Sequence, residues 1–184
     1  MVYRCNNKYE RKDIPRCGTK HLTEEEIKDG FIKAMNLLIA NKESVLDDCR
    51  MVFDTLTNTA DVDAEIESQT AQREYALQIL KQCIEDNATK EQGQSEYWKR
   101  YDVLTERYEQ EQNKLEQLLA VKDGRRHKAE LLGEFMFQLH EQEGIIDKFE
   151  MRLWVITVEK VMVSEEKTLT FEFRNGTKIP VEVA

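Results

Sequence analysis

Between residues 23 and 60, apolar side chains recur at steps of three and four. Ile27, Phe31, Ala34 and Leu38, with Met35 on the flank, form one stripe, and Val45, Leu46, Cys49, Val52, Phe53 and Leu56 form a second. Such spacing places the apolar groups on one face of a helix that must pack on a neighbour. Thr23 and Glu26 stand in a T-x-x-E pattern, whose hydroxyl and carboxylate each satisfy a free backbone N–H at a helix start. Asn41 is predicted to interrupt the pattern, and Thr57 to Thr59 to stop it. Residues 23–60 therefore read as a helical hairpin or a bent helix.

Residues 61–142 change to the alternating four-three step of a coiled-coil seam. Val62, Ile66, Gln69, Arg73, Ala76, Leu80, Cys83 and Asn87 follow this grid, although Gln69 and Arg73 weaken it. Beyond a break at Ala88 to Gly93, the grid resumes at Tyr97, Tyr101, Leu104, Tyr108, Glu111, Leu115 and Leu118. It continues through Lys122, Arg125, Ala129, Leu132, Met136 and Leu139. This second run predicts one long helix, or two stacked end to end near Gly124. A short polar connection can reverse the chain but cannot return it to a parallel start, so the pair is expected to form an antiparallel hairpin with its tip near Asn87 to Ser95. Its first arm, about 27 residues long, would reach roughly 40 Å.

After Gly144 the pattern predicts a short amphipathic helix containing Ile146, Phe149, Leu153 and Trp154. Alternation of period two follows at Val161 and Val163, at Leu169, Phe171 and Phe173, and at Ile179, Val181 and Val183. Asn175-Gly176 is a tight-hairpin signal between the last two runs. The segment 143–184 thus reads as a short helix plus a three-stranded antiparallel meander, with Pro180 confining its strand to an edge. Residues 1–20 lack helical periodicity and read as turns around a short strand at Val2 to Cys5. The expected fold class is mainly α with a small β part.

Composition adds a charge gradient. The 184 residues are 34% charged with a net charge of −9, a poor match for a phosphate-tracking surface. Residues 1–20, however, carry Arg4, Lys8, Arg11, Lys12, Arg16 and Lys20 against Glu10 and Asp13, a net +4 that leaves −13 for the remainder. Contact with DNA phosphates is therefore expected at these six basic residues. No apolar run suits a membrane span and no signal-peptide core opens the chain, which predicts a cytoplasmic location without membrane association. The four cysteines form no close framework, so disulfides are not expected.

Candidate chemistry is sparse. Cys49 and Cys83 sit at apolar helical positions, where cysteine acts as a small hydrophobe. Glu24, Glu25 and Glu26 suit a helix N-terminus. His127 and His140 lack spaced partners for a metal, and His21 precedes a helix cap. Tyr97, Tyr101 and Tyr108 could stack on bases, but their seam spacing favours packing between helices. No phosphate-binding glycine loop, nucleophile elbow or HExxH pattern is present, so the chain itself is not expected to be an enzyme.

The segment Tyr3-Arg4-Cys5-Asn6-Asn7-Lys8-Tyr9, with Cys17-Gly18-Thr19-Lys20-His21-Leu22-Thr23-Glu24-Glu25-Glu26-Ile27, resembles the second half of the zinc ribbon of large serine recombinases. The order of elements extends that resemblance over essentially the whole chain, down to the terminal strands with Phe171-Glu-Phe-Arg-Asn-Gly-Thr. It implies a partial zinc β ribbon at 1–22, a helical linker at 23–60 and an embedded coiled coil at 61–142. It further implies a role in DNA recombination and integration by a mobile genetic element, at the nucleoid. Cys5 and Cys17 would match the second ligand pair for zinc, with the first pair and the catalytic serine expected upstream of this chain. Ser44, Ser68, Ser95 and Ser164 match no catalytic motif. The implied partners are double-stranded DNA, held weakly by the N-terminal loop, and a second copy or the full-length recombinase, held through the seam residues Val62, Ile66, Leu80, Tyr97, Tyr101, Leu104, Tyr108, Leu115 and Leu118. From the residues alone, the alternative is a coiled-coil adaptor with no nucleic-acid role, in which acidic helices meet a protein partner.

Overall fold

A computed structural model of the chain describes residues 1–3, 18–89 and 93–183. The fold is mainly helical, with a small two-stranded antiparallel sheet and a three-stranded antiparallel sheet at the C-terminal end. The elements in order are β1 (Val2–Tyr3), β2 (Leu22–Thr23), α1 (Glu24–Ala40), α2 (Lys42–Thr57), α3 (Ala60–Thr89), α4 (Gln94–Glu141), α5 (Met151–Thr157), β3 (Val158–Val163), β4 (Thr168–Phe173) and β5 (Lys178–Glu182). The chain forms two compact units, one of residues 1–54 with 129–184 and one of residues 55–128.

In the first unit, α1 starts at the predicted capping box. Thr23 Oγ1 accepts from the Glu26 N–H at 3.2 Å, and Glu26 Oε2 accepts from the Thr23 N–H at 2.6 Å. Asn41 ends the helix by donating its N–H to Leu38 O and its side-chain amide to Leu37 O. Phe31, Ala34, Met35 and Leu38 are buried, which is the stripe the spacing predicts. Facing them from the sheet are Leu169 and Phe171, both fully buried. Gly30 permits this close approach: a Cβ there would lie 3.0 Å from Leu169 Cδ1 and 3.3 Å from the Phe171 ring. Phe31 meets Trp154 edge-on at 5.2 Å between ring centroids and Phe149 at 5.7 Å. Each fully buried aromatic or leucine here contributes about 1.5–3 kcal/mol of transfer free energy.

The sheet order is β3-β4-β5, with Phe171 opposite both Val161 and Ile179. Asn175 and Gly176 make the turn between β4 and β5, and Gly176 holds a φ of +85° that an L side chain rarely adopts. Leu169, Phe171 and Phe173 are buried, as their alternation predicts. Three expectations need correction. Val163 is 37% exposed, because β3 is an edge strand with its register broken by an irregularity between Val158 and Lys160. Val52 is 51% exposed on α2, outside the face that buries Leu46 and Cys49. Helix α5 begins at Met151, so Ile146 and Phe149 precede it in irregular chain.

That irregular chain is held by a side chain acting as a peptide. Asn36 Nδ2 donates to Ile146 O at 3.0 Å, and Asn36 Oδ1 accepts from the Ile146 N–H at 2.8 Å. Lys42 Nζ meanwhile donates to the carbonyls of His140 and Gln142, satisfying acceptors left free at the end of α4.

In the second unit, α3 and α4 run antiparallel. Asp61 pairs with Arg125, Asp63 with Lys122 and Gln69 with Glu111, so positions on α4 fall in number as those on α3 rise. Helix α4 passes through Gly124 without a break.

Replacing Asn36 with alanine leaves both polar groups of the Ile146 peptide unpaired in a partly buried place. Urea unfolding of Asn36→Ala is expected to show a loss of about 1–3 kcal/mol, and Asn36→Asp is expected to be destabilised as well, because a carboxylate oxygen then faces the Ile146 carbonyl in place of the donor.

Candidate functional site

The residues singled out for DNA contact lie in sequence between β1 and β2. Val2 lies opposite Thr23 and Tyr3 opposite Leu22, and the Glu24 N–H donates to Met1 O at 3.0 Å, so the two ends of the intervening loop are held together. Lys20 and His21 are exposed at the C-terminal side of that loop. Arg4, Lys8, Arg11, Lys12 and Arg16, with Cys5 and Cys17, lie outside the described residues.

The base of the loop is tied to the distant turn between β3 and β4. Ser164 Oγ accepts from the N–H groups of Glu166 and Thr168 and shapes this turn, while Lys167 adopts a φ of +66°. Lys167 Nζ then reaches Glu26 Oε1 at 2.6 Å. Glu165 lies against Gly18, where a Cβ would come within 2.8 Å of its carboxylate. One carboxylate, Glu26, thus caps α1 and receives a cation from a turn 141 positions away.

Along the α3–α4 seam, Val62, Leu80, Tyr97 and Leu115 are buried, and Ile66, Tyr101, Leu104, Tyr108 and Leu118 are partly buried. Gln69, 8% exposed, lies among them. Its Nε2 donates to Glu111 O at 3.1 Å and to Glu111 Oε2 at 2.6 Å. Sequence reasoning missed Trp98, which is 54% exposed yet packs edge-on against Tyr97 and Tyr101 at 5.1 and 5.7 Å. An aromatic residue one step off the seam was the available signal. Arg107 lies over the exposed Tyr75 ring at 5.8 Å, a cross-helix cation–π contact also absent from the seam pattern.

Cys49 and Cys83 are buried free thiols. Burial pushes the Cys49 thiol up, partly offset by a hydrogen bond with Asn175, so it stays protonated and unreactive at neutral pH. Among the described residues no cluster of three or more histidine, cysteine or carboxylate groups could hold a metal. Cys5 and Cys17 would supply two thiolates, whereas a structural zinc needs four ligands, so these two residues do not complete such a site. Among the described residues no helix is long and apolar enough to cross a membrane. No family model, curated protein or solved structure matches this chain.

The Lys167 ammonium, together with the Thr23 backbone and hydroxyl, lowers Glu26 from 4.5 to about 2. A carboxylate with a depressed value stabilises the fold above its unfolded value and loses that contribution as pH falls through the folded one. Thermal melts should therefore show a loss attributable to Glu26 between pH 4.5 and about 2. In Lys167→Met, the Glu26 titration followed by NMR is expected to move back toward 4.5 while the capping box still holds it below that value.

Proposed function

We propose that this chain is the DNA-binding and subunit-interaction part of a site-specific serine recombinase, acting in DNA integration and excision. The observation that carries the reading is the closed base of the N-terminal loop. The segment that carries net charge +4 over residues 1–20 is bounded in sequence by the two strands of one short antiparallel pair. Ends held together reduce the conformational entropy that the loop loses on binding. The cations then meet phosphates while the acidic remainder of the chain is repelled, which favours approach by this end.

The long antiparallel helix pair fits the subunit-contact role, as a coiled-coil hairpin with an exposed Trp98 beside Tyr97 and Tyr101. Tryptophan and tyrosine concentrate binding energy when a partner covers them. Strand exchange itself requires a catalytic serine, and none of this chain's serines stands in such a motif. In this reading the chain positions DNA and partner subunits, and the resemblance of its N-terminal segment to half a zinc ribbon supplies the family.

A second reading has its own support. The −13 carried by residues 21–184 and the exposed aromatic and apolar groups on the helix pair suit an adaptor that binds a protein alone. Mobility shift of a generic DNA duplex over a series of salt concentrations separates the two. Binding that strengthens as salt falls is expected, with Arg11→Glu/Lys12→Glu reducing the magnitude of the log–log salt slope by about 2. No shift at the lowest salt would remove the DNA role and leave the adaptor.

A further inference from the structure

The apolar seam of the α3–α4 pair does not by itself define one alignment. Heptads repeat, so sliding one helix by seven residues again sets apolar groups against apolar groups. The ion pairs at the open end of the hairpin add little selectivity. Asp61 is 62% and Arg125 32% exposed, and Asp63 and Lys122 are about equally open. Exposed pairs of this kind contribute little, because solvent screens them and two long side chains lose freedom to form them. Basic residues also recur at Lys122, Arg125, Arg126 and Lys128, so an acidic side chain on α3 finds another partner within a turn.

Gln69 and Glu111 behave differently. Both occupy seam positions, Gln69 is buried, and a single amide nitrogen serves both the backbone carbonyl and the carboxylate of Glu111. A slip of one heptad would bring Gln69 to Leu104 or Leu118, and Glu111 to Val62 or Ala76. Every one of those positions is apolar. Each slipped alignment would set the Gln69 amide against an apolar side chain without a partner and leave the Glu111 carboxylate with its same-helix contact to Lys114 but without the amide, and an unpaired buried amide carries a full desolvation penalty. Arg73, a further polar seam residue of α3, is partly buried, and its enclosed Nε makes no cross-helix hydrogen bond that would mark an alignment.

We infer that Gln69 and Glu111 form a register lock, a single polar layer that admits one alignment of the hairpin and rejects those displaced by a heptad. The layer trades apolar burial for uniqueness, the best-attested role of an isolated polar pair in a coiled coil. The lock keeps the aromatic group at Tyr97, Trp98 and Tyr101 at a fixed place relative to the end of α3.

The test compares the native chain with Gln69→Leu/Glu111→Leu, which leaves no unpaired polar group in the layer. Spin labels are attached through ketone-bearing residues at the exposed positions Ser68 and Gln117, leaving the native cysteines untouched. Electron-resonance distances should show one population in the native chain. The double variant should keep its helicity and gain a second population in which the helices are displaced by about 10 Å, one heptad at 1.5 Å per residue. Gln69→Leu alone should melt lower than either, because it removes the amide donor and sets the Glu111 carboxylate, held then from Lys114 on the outer side, against an apolar side chain. One unchanged distance in the double variant would overturn the lock and assign the register to apolar and ionic contacts.

Discussion

The packing of α1 on the C-terminal sheet is the constraint on which the first unit depends. Gly30 lets Leu169 and Phe171 approach the helix backbone, and Phe31 inserts beside them among Phe149 and Trp154. Three further links radiate from the same helix. Its cap sits on β2, its Asn36 fastens the chain before α5, and its Glu26 receives Lys167 from the turn between β3 and β4. None of these polar links would have a fixed geometry without the apolar contact beneath them. Residues from both ends of the sequence therefore form one core, and the N-terminal strand pair inherits its position from it.

The second unit rests on a different principle. Its helices meet along a narrow repeating seam, where apolar burial supplies most of the stability and little of the specificity. Gln69 and Glu111 reverse that balance locally. In the first unit uniqueness comes from shape, through a glycine and interlocked rings; in the second it comes from hydrogen-bonding requirements that only one alignment meets.

Much of this was legible in the residues because it is local. The capping box, the Phe31 and Leu38 stripe, the Asn175-Gly176 turn and the four-three seam depend on spacing within a few turns, and period and turn chemistry report them directly. The Lys167 to Glu26 contact spans 141 positions and has no local signature. The role of Asn36 was hidden for the same reason, since its partner is the backbone of Ile146 rather than a side chain that a pattern could mark. Val52 and Val163 misled because valine on an exposed helix face or an edge strand has the same period as valine in a core. Gln69 weakened the seam as a pattern, yet its pairing with Glu111 is what the register lock rests on. For the N-terminal loop, charge and cysteine spacing remain the basis of the reading, with Lys20 exposed at its described end.

The functional proposal joins these parts. A basic loop is useful for DNA binding when its base is held, and here that base is held by a helix whose own position is set by strands more than a hundred residues downstream. Native-state hydrogen exchange tests this dependence most directly, through the backbone amides of Phe31 in α1, Phe171 in β4 and Val181 in β5. The account predicts that all three open with one common free energy, as members of a single cooperative unit. Opening of the β4 and β5 amides at a much lower free energy, with α1 still protected, would contradict it.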